Sequence, residues 1–225
     1  MPDHRLEADS ILYSVAGRQL LTDIYLSCKT GEVVGLLGRN GCGKSTLLKI
    51  LFGTLPTYNK HIRVNGQVYQ EPYKHKHLLA YLPQNDFLPK NLRLRQLIDL
   101  YLTAPDKQGA VRQHPRVQPH LQKYTNELSR GELRYFELLL LLQLDVKFLL
   151  LDEPFSGIEP IYVDRVQELL QAHLHTKGFL ITDHDYTSVM RISNRIILLA
   201  NGACRPIQSH EELATWGYVP KAMFR

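Results

Sequence analysis

The chain has 225 residues, of which 44% are hydrophobic and 22% are charged, and its formal net charge is +5. This length suffices to bury a substantial core, and the composition is that of an ordinary globular protein rather than a fibrous or disordered one. The positive charge is spread along the chain without a basic stripe of interleaved aromatic residues, which argues against a nucleic-acid-binding protein.

The first predicted elements surround a glycine-rich turn. Residues 26–37 alternate between polar and apolar and then run apolar, as a buried strand does, and "GRNGCGKST" follows directly. A helix with apolar spacing is predicted from that turn to Gly53. Residues 62–69 predict a hairpin with "NG" at its turn, and residues 78–82 predict a second apolar strand.

A helical stretch is predicted next. Residues 92–102 have helical spacing and stop before Pro105, which disfavours helix in the residue that precedes it. Residues 106–120 are rich in Gln, Pro, Arg and His with little periodicity, so they predict a mobile loop. Ser129, followed three residues later by Glu132, forms a capping-box pattern, and a leucine-rich helix is therefore expected to begin there.

Strands and helices alternate through the last third of the chain. "VKFLLLDEP" and "GFLITDH" predict buried parallel strands, residues 161–175 and 185–192 predict helices, and "RIILLANGACRPI" predicts a final hairpin. This alternation indicates an α/β sheet. The helical residues 92–144 interrupt it and predict an inserted helical lobe.

The segment Gly38–Ser45 matches the pattern G-x-x-x-x-G-K-[ST] between a predicted strand and a predicted helix, which makes a chance glycine-rich turn the weaker reading. Glycines at 38, 41 and 43 let backbone N–H groups wrap phosphate oxygens without Cβ clashes. Lys44 is expected to reach the terminal phosphates and the Ser45 hydroxyl to coordinate Mg²⁺. The predicted nucleotide contacts are Gly38, Arg39, Asn40, Gly41, Cys42, Gly43, Lys44, Ser45 and Thr46.

A pair of carboxylates ends the apolar strand in "FLLLDEP". Asp152 is placed to hold the Mg²⁺ shell, and Glu153 beside it to orient or deprotonate an attacking water. Alone, the pair could equally be a solvated acidic turn after a core strand. Together with a phosphate-binding loop, it predicts nucleotide hydrolysis.

In its order of motifs the chain resembles the ATP-binding cassette (ABC) ATPases over essentially its whole length. "LSRGE" is similar to the signature motif of that family, usually Leu-Ser-Gly-Gly-Gln, and lies upstream of the acidic strand. "YLPQ" ends in Gln84 at the Q-loop, "SGIEP" matches the D-loop, and "ITDHD" puts His184 at the switch histidine. The chain looks most like the compact ATPases of lipopolysaccharide export and branched-chain amino acid import.

The resemblance implies a fold, namely a P-loop NTPase (RecA-like) core with an antiparallel β subdomain and an inserted α-helical signature lobe. Residues 1–225 would form a single ABC ATPase domain. Within it, residues 1–84 and 147–225 would form the nucleotide-binding core with its β subdomain, and residues 85–146 the helical signature lobe.

The resemblance also implies cofactors and roles, with ATP and Mg²⁺ as the bound groups. The implied catalytic residues are Glu153, His184, Lys44 and Gln84, and the implied Mg²⁺ ligands are Ser45, Gln84 and Asp152. Two domains would pair head to tail, with each ATP between one phosphate loop and the other signature. Ser129 would then donate its hydroxyl, and Gly131 its backbone N–H, to the γ-phosphate. This would explain a glycine in the first turn of a helix, where it costs stability.

Three residues depart from the family pattern. Arg130 replaces the first signature glycine, where it either adds charge near the nucleotide or points to solvent. Glu132 replaces the usual glutamine, and Glu159 stands where the D-loop usually has Asp. The family's adenine-stacking aromatic residue is not obvious: alignment puts Val15 at that position, and Tyr13, on the same strand face, is the alternative.

Cysteine usage bears on compartment and reactivity. Cys28, Cys42 and Cys204 are too few and too scattered for a disulfide framework or a zinc site, so a reducing cytosol is expected. Cys42 lies inside the phosphate loop, where the helix N-terminus and Lys44 are expected to lower its thiol pKa and make it reactive, unless it serves only as a small residue.

The expected function is the ATP-hydrolysing subunit of an ABC transporter. Residues 1–5 lack a secretory signal, and no apolar run approaches the roughly 18 residues that a membrane span needs. A soluble, cytoplasmic chain is therefore expected, peripheral on the membrane, with a second ABC ATPase subunit and an integral membrane subunit as partners and no nucleic acid. The second ATPase subunit is either a copy of this chain, forming a homodimer, or a different chain, forming a heterodimer. The alternatives are a soluble ABC ATPase of the assembly-factor type and a nucleic-acid-linked ABC protein, which usually has two cassettes.

Overall fold

The computed structural model describes residues 4–219. These residues form two β-sheets with helices packed around them. A four-stranded antiparallel sheet has the order β2-β1-β4-β5, and a mostly parallel six-stranded sheet has the order β10-β9-β3-β8-β7-β6. The strands are β1 (Arg5–Val15), β2 (Arg18–Lys29), β3 (Val33–Leu37), β4 (His61–Val64), β5 (Gln67–Val68), β6 (Leu79–Leu82), β7 (Phe148–Asp152), β8 (Gly178–Thr182), β9 (Arg195–Ala200) and β10 (Ala203–Ile207).

Helices cover both faces of the six-stranded sheet. They are α1 (Lys44–Phe52), α2 (Leu94–Tyr101), α3 (Pro105–Arg112), α4 (Arg130–Gln143), α5 (Pro160–His173), α6 (Tyr186–Ile192) and α7 (His210–Thr215). Strands β6, β7, β8, β3 and β9 run parallel, and β10 returns antiparallel to β9. The expected α/β core with an antiparallel β subdomain and an inserted helical lobe is confirmed.

Side chains of the six-stranded sheet alternate between two apolar cores. Val34 and Leu36 of β3 point to the core shared with α1 and the four-stranded sheet. Val33 and Leu37 point to the opposite core, which contains α4, α5 and α6. Because both faces are covered, the central strands β3, β7 and β8 are buried along their whole length and are mostly apolar, which is the pattern expected of a parallel sheet buried on both sides.

One predicted strand is in fact two. Residues 26–37 are divided at Gly31, whose φ of +83° turns the chain between β2 and β3. The two strands belong to different sheets, although the sequence pattern predicts a single strand across residues 26–37. Both predicted hairpins are confirmed, the first with its turn at Asn65 and Gly66 between β4 and β5.

The prediction of a mobile loop over residues 106–120 is wrong. Helix α3 begins with Pro105 at its first position, where the missing N–H costs nothing, and a short 3-10 turn follows at Gln118–His120. Val111 and Val117 are fully buried against the helical lobe and fix the segment. Two buried residues leave no periodic pattern, and the polar remainder therefore resembled a loop.

Helix α4 begins as the capping pattern predicts. The Ser129 hydroxyl accepts a hydrogen bond from the Glu132 N–H at 3.2 Å, and the Glu132 carboxylate accepts one from the Ser129 N–H at 2.8 Å. From Gly131 to Leu142 nearly every residue is buried, so α4 is the central helix of its lobe. The lobe boundaries drawn at residues 85 and 146 stay a prediction. No helix within residues 4–219 is long and apolar enough to cross a membrane.

Candidate nucleotide-binding site

The carboxyl ends of four parallel strands form the edge of the sheet that carries the site. In the order β3-β8-β7-β6, the register pairs Asp152 with Thr182, and Leu151 with Leu82. The residues that follow each strand therefore lie side by side. Open α/β sheets bind ligands at this edge, beyond the carboxyl ends of their strands.

The phosphate loop connects β3 to α1. Gly41 and Gly43 adopt left-handed backbone conformations, with φ of +76° and +108°, and Gly43 is the N-cap of α1. A Cβ at Gly43 would lie 3.0 Å from the Leu21 side chain. Both this close contact and the left-handed backbone conformation disfavour any larger residue at this position. The first-turn N–H groups of α1 have no partner within the helix, so they are available to donate to an anion at its N-terminus.

Lys44 is held inside this loop. Its ammonium donates to the Gly38 carbonyl at 2.7 Å and to the Arg39 carbonyl at 3.4 Å, and the side chain is almost completely buried. The loop thereby holds the Lys44 ammonium group next to the N-terminus of α1. Both features favour a bound phosphate.

Asp152 collects three hydroxyl groups at the end of β7. The Ser45 and Thr182 hydroxyls each donate to Oδ1 at 2.9 Å, and the Tyr81 hydroxyl donates to Oδ2 at 2.8 Å. Burial, with the Asp152 carboxylate beside it, raises the pKa of Tyr81, so this phenol stays a donor. The carboxylate is consequently fixed next to Ser45, as the sequence predicts for a shared Mg²⁺ shell.

Glu153 lies at the centre of the predicted catalytic residues. Its backbone adopts φ of +52°, which an L-residue rarely does and which turns its side chain away from the strand direction. The carboxylate Oε2 accepts a hydrogen bond from the Gln84 amide at 2.9 Å and lies 3.7 Å from His184 Nδ1. The structure therefore brings these three side chains together.

Asp183 is a buried residue that contacts His184 and the two loops that carry the catalytic residues. It is fully buried, and its two oxygens accept hydrogen bonds from the backbone N–H groups of Phe155 at 2.8 Å and Asp185 at 3.0 Å. Oδ1 also lies 3.3 Å from His184 Nδ1. Burial raises the pKa of Asp183, and the two N–H donors oppose that effect. The residue ties the loop after β7 to the loop after β8.

These side chains enclose a cleft of about 540 Å³. It is lined by Leu20, Asn40, Gly41, Gly43, Lys44, Ser45, Thr46, Gln84, Glu153, Ser156 and His184. Of the predicted loop contacts, Gly38, Arg39 and Cys42 do not line it. The Arg39 guanidinium instead donates to the Gly217 carbonyl at 3.4 Å.

Neither candidate for the adenine contact lines this cleft. Tyr13 lines a separate cavity of about 910 Å³ together with Tyr58, and Val15 is half exposed at the end of β1. Leu20, at the start of β2, lines this cleft, and Leu21 beside it also lies against the phosphate loop at Gly43. Which of the two candidates contacts adenine stays a prediction.

The expectation of a lowered thiol pKa at Cys42 is wrong. Burial raises the pKa of this thiol, and the opposing effects of the Lys44 ammonium and of backbone N–H groups are smaller. Its sulfur lies close to Gly38, where a Cβ would approach it to 2.6 Å. Cys42 is therefore the small packing residue of the phosphate loop.

Ser129 and Gly131 do not line the cleft of their own chain. Ser129 is exposed, whereas Gly131 is covered by a residue of α5: a Cβ at Gly131 would lie 2.5 Å from Cδ2 of Tyr162. The glycine thus has a reason within the chain itself, namely the close packing of the Tyr162 ring against the first turn of α4.

A buried ion pair, which sequence reasoning missed, connects α4 to the Q-loop. Arg134 donates to the carbonyls of Pro83 at 3.0 Å and Gln84 at 2.6 Å, and to the Glu137 carboxylate at 3.1 Å. Glu137 in turn accepts from the Phe87 N–H at 3.0 Å, and burial raises its pKa to about 7. Charged residues three apart within a leucine-rich helix were the available signal.

Tyr81, Thr182 and Asp183 were also missed. Each lies at or just beyond the end of a parallel strand, next to a residue that the motifs identify. The signal was weak, because a strand sequence does not state which other strand lies beside it. Once β6, β7 and β8 are adjacent, all three residues point at the same edge.

Comparison with known proteins places this geometry in context. Residues 21–156 match the family model described as ABC transporter. A probable ABC transporter ATP-binding protein of Azorhizobium caulinodans is 33% identical, over 88% of this chain and 74% of its own length. The lipopolysaccharide export system ATP-binding protein LptB of Escherichia coli strain K12 is 29% identical, over 88% and 87% respectively, and LptB of Acidithiobacillus ferridurans is 32% identical, over 92% and 91%.

Solved structures share the fold at lower sequence identity. A nucleotide-free ATP-binding cassette from an ABC transporter superposes with a TM-score of 0.82 at 19% identity, covering 98% of this chain and 97% of its own. An ATP-binding subunit of an ABC transporter gives a TM-score of 0.81 at 22% identity, covering 95% and 93%.

Proposed function

The chain belongs to the ABC transporter family as an ATP-binding and ATP-hydrolysing subunit, and we propose that it works as a head-to-tail dimer docked on a separate membrane subunit. One observation carries the proposal. The catalytic side chains converge on the phosphate loop, whereas Ser129 and Gly131 of the signature lie outside that cleft. A second chain is needed to bring a signature to each bound ATP.

In this proposal the chain's own residues divide the work of hydrolysis. Lys44 leaves the loop carbonyls and pairs with the terminal phosphates. Glu153 accepts a proton from the attacking water, and Gln84, now bonded to its carboxylate, positions that water. His184 contacts the γ-phosphate. Asp183, whose Oδ1 lies 3.3 Å from His184 Nδ1, positions the imidazole ring for this contact.

The residues present fit Mg²⁺. Ser45 and Asp152 place two hard oxygen ligands 2.9 Å apart, and the Gln84 side chain supplies an amide oxygen in the same cleft. Two or three protein oxygens, completed by phosphate and water, are the usual donor set for this ion. When bound, Mg²⁺ would neutralise charge on the β- and γ-phosphate oxygens.

The partner of each chain is a second copy of the same chain. Ser129 and Gly131 are present, so this chain carries a usable signature of its own. In this proposal the transport pathway belongs to a separate membrane protein, on whose cytoplasmic side the dimer binds; the ATP-binding proteins of ABC transporters among the relatives support this division of roles. The relatives named above favour this arrangement over a soluble ATPase of the assembly-factor type.

The test is light scattering during size exclusion on the Glu153→Gln variant, with and without Mg-ATP. The variant binds ATP without hydrolysing it, so the closed dimer should accumulate only when Mg-ATP is present. Lys44→Ala added to this variant should abolish the dimer. Glu168→Gln, at an exposed position of α5, is the matched control and should hydrolyse ATP normally. A variant that binds ATP and stays monomeric would overturn the homodimer.

A further inference from the structure

The signature arginine is bonded to the D-loop of its own chain. Arg130 is the first residue of α4, and its Nε donates to the Ser156 carbonyl at 3.3 Å. The residue is exposed to solvent, and its guanidinium is at the same time hydrogen-bonded to the protein surface. Neither reading of Arg130 from the sequence included this contact.

The D-loop is shaped to receive this side chain. Gly157 adopts φ of +67°, and a Cβ built there would lie 2.8 Å from Arg130 Nε, 3.2 Å from Cζ and 3.3 Å from Cδ. A larger residue there would be strained by the backbone conformation and would displace the guanidinium. Arg130 and Gly157 consequently form a matched pair.

The same loop borders the chain's own hydrolysis site. Ser156 lines the phosphate cleft with Glu153 and His184, and its N–H donates to the Glu153 carbonyl at 3.3 Å. Arg130 contacts the carbonyl group of this same residue. Two consecutive hydrogen bonds therefore connect the signature turn, through Ser156, to the backbone of the catalytic residue Glu153.

We infer that Arg130 is a positioning residue that fixes the D-loop to the signature turn, so that the two move as one unit. The inference rests on the proposed head-to-tail dimer. There, the signature serves the ATP of the neighbouring chain, while Ser156 and Glu153 serve the chain's own ATP. Arg130 then makes the geometry of each hydrolysis site depend on occupancy of the other, which is cooperative coupling between two sites.

The first experiment needs no dimer. Hydrogen–deuterium exchange is measured on the nucleotide-free protein for the peptide that contains Ser156, comparing wild type with Arg130→Ala. Loss of this long, solvent-exposed hydrogen bond should speed exchange there by about fivefold. Arg95→Ala removes the same charge from an exposed position on α2 and should leave the peptide unchanged.

The second experiment tests coupling in the active protein. The rate of ATP hydrolysis is measured against ATP concentration for wild type, Arg130→Ala, Arg130→Lys and the Arg95→Ala control. The wild type should be cooperative, and Arg130→Ala should lower the Hill coefficient toward about 1, because each site then acts independently. Arg130→Lys keeps the charge without the Nε donor, and it should resemble the alanine variant.

An independent variant perturbs the other member of the pair. Gly157→Ala pushes against the guanidinium and should also speed exchange of the Ser156 peptide. If the two residues act together, adding Gly157→Ala to Arg130→Ala should change exchange less than Gly157→Ala does in wild type.

The outcomes separate the two ideas. If Glu153→Gln fails to dimerise with Mg-ATP, the proposed function fails whatever the exchange data show. If it dimerises, but Arg130→Ala matches Arg95→Ala in both exchange and Hill coefficient, the positioning role of Arg130 is refuted. Faster exchange with an unchanged Hill coefficient would also refute it, since the contact would then be purely structural.

Discussion

Replacing Arg134 by methionine should destabilise the protein strongly, and the buried pair with Glu137 sets the size of the effect. Arg134 is 1% exposed and Glu137 is 0% exposed. Removing one member of a buried ion pair leaves an uncompensated charge and costs about 3–5 kcal/mol. Against a usual unfolding free energy of about 5–15 kcal/mol, this leaves a folded but much weakened protein.

The cost should depend on pH, with a defined sign. Burial raises the pKa of Glu137 from an ordinary value of 4.5 to about 7, so the folded chain binds its proton more tightly than the unfolded chain. The contribution of Glu137 to the free energy of unfolding of the wild type is therefore highest at low pH, and about 3 kcal/mol of that contribution is lost as the pH rises to 7. Without the Arg134 cation the pKa rises further, so the variant should continue to lose stability above pH 7.

The assay is urea unfolding at pH 6 and pH 8, with ATP hydrolysis measured in parallel. Arg134→Met should lose more stability relative to wild type at pH 8 than at pH 6. The double variant Arg134→Met, Glu137→Leu removes both charges and should recover about 2–4 kcal/mol of the loss at pH 8. Arg95→Met, at an exposed position, is the control and should unfold like wild type.

Activity should not recover with stability. In the double variant the carbonyls of Pro83 and Gln84 still lack their donor, so the Q-loop is no longer held against α4. Turnover should stay at least about tenfold below wild type, since small displacements of catalytic groups are costly. Equal stability of Arg134→Met and wild type at pH 8, or a double variant no more stable than the single one, would refute this reasoning.

Three further predictions concern packing and reactivity. Gly131→Ala should lower the free energy of unfolding, measured by thermal unfolding, by about 1–2 kcal/mol despite its gain in helix propensity, because the added Cβ clashes with the Tyr162 ring. Gly109→Ala in α3 adds a Cβ that meets nothing within 4 Å, so this variant should be more stable than wild type by up to about 1 kcal/mol. Iodoacetamide should modify Cys42 more slowly at pH 7.5 than it modifies a free peptide thiol; rapid modification that ATP prevents would restore the reactive-thiol hypothesis. Tyr81→Phe removes one hydrogen-bond donor to Asp152 and should lower turnover by less than about tenfold, with a loss of about 1 kcal/mol in the free energy of unfolding. Full activity with an unchanged dependence on Mg²⁺ concentration would show that the hydroxyl is dispensable.

Local patterns predicted most elements and most of the phosphate site. The capping box at Ser129, the "NG" turn and the phosphate-loop glycines all act through backbone geometry within a few residues, which a sequence states directly. The loop predicted over residues 106–120 failed for the same reason. Its helix is fixed by burial of Val111 and Val117 in the lobe, and that burial leaves no local signal.

The sequence by itself determined the chemistry of this protein: a lysine and serine after a glycine-rich turn, two carboxylates after an apolar strand, and a histidine after the next. Only the tertiary structure decided which of these groups meet. Ser45 and Asp152 are 107 residues apart and become neighbours because β7 lies two strands from β3 in the sheet. Gly131 beside an α5 tyrosine, and Arg130 beside its own D-loop, are likewise contacts between distant segments. Such contacts depend on how the elements pack, and the packing depends on the free energy of the whole core rather than on local sequence pattern.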